Sequence, residues 1–198
     1  PRGLELDWSK PQVDWLSDKR PAVVNRSIEA LAKESNVDGL RAAKARIAAL
    51  WSLHQIPGKS ARAAVRGFLR KESSDVCVAA IHSAGLWRDS AAVKPLIEIL
   101  ASDDALLRRL AAMALGRIGD RMAVQPLLEA GLAKTDPFLK HAIIYALYEI
   151  GNEERLPGDH PITKQVRLMH QIDKRSPSPH VMPVIQLAAA GKPDPTKE

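Results

Sequence analysis

Four stretches of this chain end in a large apolar residue at a nearly fixed interval. Ile56, Trp87, Ile118 and Ile150 are 31, 31 and 32 positions apart. The residues leading to each are also alike, as in Ala111-Ala112-Met113-Ala114-Leu115-Gly116-Arg117-Ile118 and Ile143-Ile144-Tyr145-Ala146-Leu147-Tyr148-Glu149-Ile150. No other feature constrains the fold as much, because a unit of this length is too short to bury its own apolar side. Units must stack, each touching only its neighbours, and this predicts an all-α solenoid of helix pairs.

The period also orders the rest of the chain. A helix is expected over residues 22–33, where Val23, Ile28, Ala30 and Leu31 fall at helical spacing. Leu31 aligns with Leu53, Ala84, Leu115 and Leu147, but the first step is only 22 residues. The second unit has therefore lost most of its first helix around Asn36-Val37-Asp38-Gly39. Complete units start at Lys59. Ala92-Val93-Lys94-Pro95-Leu96-Ile97-Glu98 recurs 31 residues later as Ala123-Val124-Gln125-Pro126-Leu127-Leu128-Glu129. Proline is tolerated in a first helical turn, where its missing N–H has no intrahelical partner to lose. Ser73-Ser74-Asp75, Ser102-Asp103-Asp104 and Thr135-Asp136-Pro137 are expected to cap the helices that follow them. Gly119 and Gly151 are expected to end two helices in the left-handed conformation. The resulting organisation is an irregular lead-in at 1–16, repeats at 17–152, a degenerate capping repeat at 153–190 and a disordered tail at 191–198. The capping repeat is expected to hold helices at 163–172 and 179–190.

Leu107-Arg108, Ala111, Ala114-Leu115-Gly116, Ile118-Gly119-Asp120 and Ala123-Val124-Gln125-Pro126-Leu127 together resemble HEAT-like repeats, in the short form found in phycobilisome lyases. The resemblance implies a right-handed superhelix whose inner helices line a concave face. A narrower resemblance is carried by the segments 15–23, 80–89 and 138–147. They are similar to the middle region of large exported bacterial proteins that join a membrane-bound-dehydrogenase-type domain, HEAT-like repeats and a C-terminal cytochrome c domain. It implies an extracytoplasmic spacer or docking module, with the heme held elsewhere. Since the chain starts at Pro1, it is expected to be an excised domain or a processed product.

Composition fits this picture. The apolar fraction of 45% suits a folded chain and the charged fraction of 26% a soluble one. No apolar run approaches the ~18 residues of a membrane-spanning helix. The single cysteine, Cys77, excludes an internal disulfide and a CxxCH heme-attachment motif, and its surroundings suit a structural thiol. The net charge of +6 is local: residues 39–71 hold eight cations and no acid, leaving the rest at −2.

Applying the period to the inner helices gives three outward columns. Trp51, His82, Met113 and Tyr145 form the first; Ile47, Val78, Arg109 and His141 the second; His54, Gly85, Gly116 and Tyr148 the third. A trough lined by Trp51, His54, His82, Arg109, Met113, His141, Tyr145 and Tyr148 has the aromatic and arginine content of a protein-recognition surface. The partner is expected to be a protein, either a separate one or another domain of the parent chain. His54, His82 and His141 stand in different columns without a carboxylate beside them, so no metal site is assigned. Arg46, Arg108 and Lys140 are expected to pair with Asp75, Asp104 and Asp136.

Lys59, Arg62, Arg66 and Arg70 step by 3, 4 and 4 along what reads as one helix. Such a stripe is an anion or phosphate candidate, and a nucleic-acid-binding, glycosylase-like protein is the first alternative. A solvated face is the plainer reading. A lyase-like tetrapyrrole chaperone is the second alternative, implied by the repeat subtype alone. No residues form a catalytic constellation, so the chain is read as non-enzymatic and without a cofactor.

Overall fold

Each period resolves into a pair of antiparallel helices, and the pairs stack in two layers. The computed structural model describes residues 6–70, 72–132, 136–151, 156–158 and 160–175. In chain order the helices are α1 (Pro21–Glu34), α2 (Val37–Ala42), α3 (Arg46–Gln55), α4 (Lys59–Gly67), α5 (Ser74–Leu86), α6 (Val93–Leu100), α7 (Ala105–Ile118), α8 (Val124–Leu132), α9 (Pro137–Ile150) and α10 (Pro161–Arg175). The inner layer is α1, α3, α5, α7 and α9, each packed on the next. The even-numbered helices form the outer layer, and α10 packs on α9 and α8 as the outer helix of a further unit. Among the described residues there is no strand, and no helix is long and apolar enough to cross a membrane.

The aligned column runs through the middle of the core. Leu31, Leu53, Ala84, Leu115 and Leu147 are each no more than 1% exposed. The core is thus a continuous strip between the layers, as stacking units require. The second unit keeps a six-residue first helix, α2, whose Leu40 is fully buried and whose N-cap Asn36 accepts a bond from the Gly39 N–H. The lead-in is more ordered than expected. A 3-10 turn over Val13–Ser17 buries Leu16, Trp8 meets Trp15 edge-on at 5.1 Å, and Arg26 lies over the Trp8 ring.

Local chemistry sets the helix ends. Asp104 accepts from the Leu106 and Leu107 N–H groups, and Asp136 from those of Phe138 and Leu139. Ser73 is the N-cap of α5 but makes no side-chain cap bond. Pro95 and Pro126 sit in the first turns of α6 and α8, behind the 3-10 turns Ser90–Ala92 and Arg121–Ala123. Gly119 ends α7 in the left-handed region (φ 75°, ψ 17°), whereas Gly151 shares that φ with an extended ψ of −172°. The first half of the capping repeat is present as α10, running from Pro161 rather than Thr163. The expected helix at 179–190 and the tail at 191–198 lie outside the described residues.

Candidate partner-binding face

Because the inner helices are packed side by side, equivalent residues of successive units come into line. Trp51 of α3, His82 of α5, Met113 of α7 and Tyr145 of α9 run across the face, with Ile47, Val78, Arg109 and His141 one turn earlier. Two recesses open between them. The first, about 380 Å³, is lined by Trp51, Val78, His82, Leu110 and Met113, with Asp75 and Arg117 also on its wall. The second, about 510 Å³, is lined by Arg109, Met113, Pro137, Phe138, His141 and Tyr145. Met113 belongs to both, so the two recesses adjoin across α7. Phe138 is 71% exposed and Tyr145 43%. Adjoining large rings left this open to water form a contiguous apolar patch of the kind found at contact sites.

Phe138 was not among the sequence candidates, although its signal is present. Leu106 stands 32 residues earlier at the same place in the preceding unit, and it too is exposed. Arg117 and Leu110 are further lining residues that the columns omit.

The third column opens outward only at Gly85, which lines the first recess. Gly85 and Gly116 are buried where neighbouring inner helices touch. A Cβ at Gly85 would come to 3.3 Å from Ala114 Cα, and one at Gly116 to 2.6 Å from Ala146 Cα. Both glycines therefore allow close approach, and Gly85 also forms part of the wall of the first recess. The column's other members lie in the same kind of seam. Tyr148 packs on His170 of α10 with ring centres 4.4 Å apart, and His54 is half-buried beside Trp87. Neither His54 nor Tyr148 lines a recess.

His54 and His82 come closer than their separate columns suggested. Trp51 meets His54 at 5.7 Å and His82 at 6.3 Å, both edge-on. On its other side His54 stacks on Trp87 at 4.8 Å, and its Nδ1 is 2.8 Å from the Ser83 hydroxyl. Burial first, and the proximity of His82 second, hold the His54 imidazole below its ordinary range, so it favours the neutral form.

The basic stripe is largely occupied by the protein itself. The helix carrying it, α4, ends at Gly67, so Arg70 lies beyond it rather than on it. Arg66 pairs with the nearly buried Asp89 at 2.6 Å, Arg70 with Glu98 at 2.7 Å, and Arg62 sits over the Trp87 ring. Arg66 and Arg70 thus reach residues of the next unit, while Trp87 closes the unit to which Arg62 belongs. Lys59 is exposed. The expected pairing of the other basic column also differs. Arg46 pairs with Glu72 and covers the Phe68 ring, while Arg108 donates to the Leu100 carbonyl at 3.1 Å. Asp104 and Asp136 are instead committed to their caps. Cys77 is buried, and burial followed by Asp104 pushes its thiol up. Among the described residues no cluster of His, Cys, Asp and Glu is disposed to hold a metal ion.

Stacked helix pairs with a shared core strip and an open inner-helix face define a helical repeat array. The model of the family described as HEAT repeats matches residues 37–112 and 93–158, more than half of the chain. The protein belongs to the HEAT-repeat family, whose members generally serve as protein-interaction scaffolds and are typically not catalysts. No curated protein matches the chain.

Proposed function

We propose that this chain is a non-catalytic docking module that binds another protein through the inner-helix face, at the recesses on either side of α7. The observation that carries the reading is the pair of adjoining apolar recesses floored by Met113 and rimmed by Trp51, Phe138 and Tyr145. Aromatic rims around an apolar floor are what a partner side chain can fill, and such anchors dominate protein–protein affinity. In the intact protein the module serves as a spacer or docking element of a larger exported protein. That extension is supported by the resemblance at 15–23, 80–89 and 138–147.

We favour the docking reading over the nucleic-acid alternative because Arg62, Arg66 and Arg70 of the basic stripe face partners within the chain, leaving Lys59. A photo-crosslinking residue at position 113 or 145, expressed in the parent cell type, is expected to yield specific protein adducts. The same residue at the outer positions 94 and 125, both exposed, is expected to yield none. Equal adducts from both layers, or adducts only from the outer layer, would contradict the reading.

A further inference from the structure

Seven arginines are half-buried among the described residues: Arg46, Arg62, Arg66, Arg108, Arg109, Arg117 and Arg167. Five are engaged. Arg46 and Arg66 have carboxylates, Arg62 has the Trp87 ring, and Arg108 and Arg167 donate to the carbonyls of Leu100 and Leu156. Among the described residues, Arg109 and Arg117 have no ion pair, no side-chain hydrogen bond and no aromatic face. Neither has a nitrogen that is both buried and unpartnered, so their N–H donors face solvent and are open to an acceptor from outside the chain.

These two arginines share one helix and one stripe. Arg109, Met113 and Arg117 are four residues apart on α7, which places them on the same side at roughly 6 Å intervals. Met113 is the residue common to both recesses, Arg109 lines the second and Arg117 the first. Helix α7 therefore presents an apolar floor with a cation toward either end that has no partner among the described residues.

We infer that the occupant of this face is an acidic peptide segment of a partner protein, with large apolar side chains between its carboxylates. This rests on the docking reading above and adds the chemistry of the partner. The apolar side chains would fill the recesses beside Met113, and the carboxylates would meet Arg109 and Arg117, about 12 Å apart along α7. Guanidinium groups suit this task because they donate to both oxygens of a carboxylate in a bidentate, directional fork. A phosphate backbone fits less well. The second recess offers mainly Phe138, Tyr145, Met113 and Pro137, which suit apolar side chains rather than a continuous line of phosphates.

The test is selection of phage-displayed random dodecapeptides on the full chain, followed by fluorescence-anisotropy titration of the enriched peptides. Enriched sequences are expected to place Asp or Glu on both sides of Phe, Leu or Trp. An Arg109→Met, Arg117→Met variant keeps the aliphatic stems, including that of Arg117 against Gly85, and is expected to weaken binding at least tenfold. Single Arg→Lys replacements should recover part of that loss. Circular dichroism of each variant confirms that the array stays folded. Peptides that need Met113 and Tyr145 but show no acidic enrichment and ignore the double variant would overturn the inference and leave the docking reading standing. Peptides indifferent to Met113→Ala with Tyr145→Ala, or no enrichment at all, would overturn both. Displacement by polyuridylate as readily as by free acidic peptide would assign the face to phosphate instead.

Discussion

At Gly116 a single methyl group decides how closely α7 and α9 can lie. The added Cβ would sit 2.6 Å from a backbone atom of Ala146, which cannot swing aside. Gly116→Ala is expected to destabilise by about 1–3 kcal/mol, as overpacking does, despite the helix propensity that alanine gains. At Gly85 the corresponding distance is 3.3 Å, and a shift of a few tenths of an ångström accommodates the methyl group. Gly85→Ala should therefore fall within about 1 kcal/mol of the parent. Urea denaturation of both variants checks the contrast. His54 makes the second residue-scale prediction. Its imidazole is held below the ordinary 6.5, so near that pH the unfolded chain binds more protons than the folded one. Stability is then complete above about pH 6.5 and falls as the pH drops toward the folded value. His54→Gln should flatten this part of the stability profile. In an NMR titration His82→Ala should move the His54 midpoint partway back up, because only the smaller of its two causes is removed. Cys77, buried and pushed up, is expected to react with a thiol reagent far faster in urea than in the native chain.

At the scale of single elements, caps divide into those that bond and those that only occupy the place. Asp104 and Asp136 each satisfy two N–H groups at the start of an inner helix, and Asp104 also accepts the Ser74 hydroxyl. Asp104→Ala and Asp136→Ala should each cost about 1 kcal/mol, while Ser73→Ala should cost much less because that side chain bonds nothing in α5. Thermal denaturation of the three variants reads the difference. Much at this scale is legible in the sequence, since short acids ahead of an apolar run and glycine after one act through local geometry. Where reading failed, the cause was non-local. Arg70 keeps helical spacing, but α4 stops at Gly67 as Phe68 and Leu69 turn into the core. The pairing of Arg66 with Asp89 crosses between units and has no local signature.

For the whole molecule, the period contains the stacking order, the core strip and the line of Trp51, His82, Met113 and Tyr145. It does not contain depth. A column gives an angle around a helix, and only the separation of neighbouring helices tells whether that angle faces solvent or a seam. For this reason His54 and Tyr148 share a column with two buried glycines, while Phe138 and Arg117 line the recesses from outside all three columns. Ion pairs between successive units, such as Arg66 with Asp89, hold the array in register from the outer side. The inner face is left to its apolar floor and two free guanidiniums. Its most direct test is the affinity of the protein identified by crosslinking from position 113 or 145, measured by calorimetry against the parent chain, a Trp51→Ala, Tyr145→Ala variant and an outer-face Lys94→Ala, Gln125→Ala variant. The account predicts a loss of tenfold or more for the inner-face variant and no change for the outer one, with all three folded by circular dichroism. Unchanged affinity of the inner-face variant would contradict it.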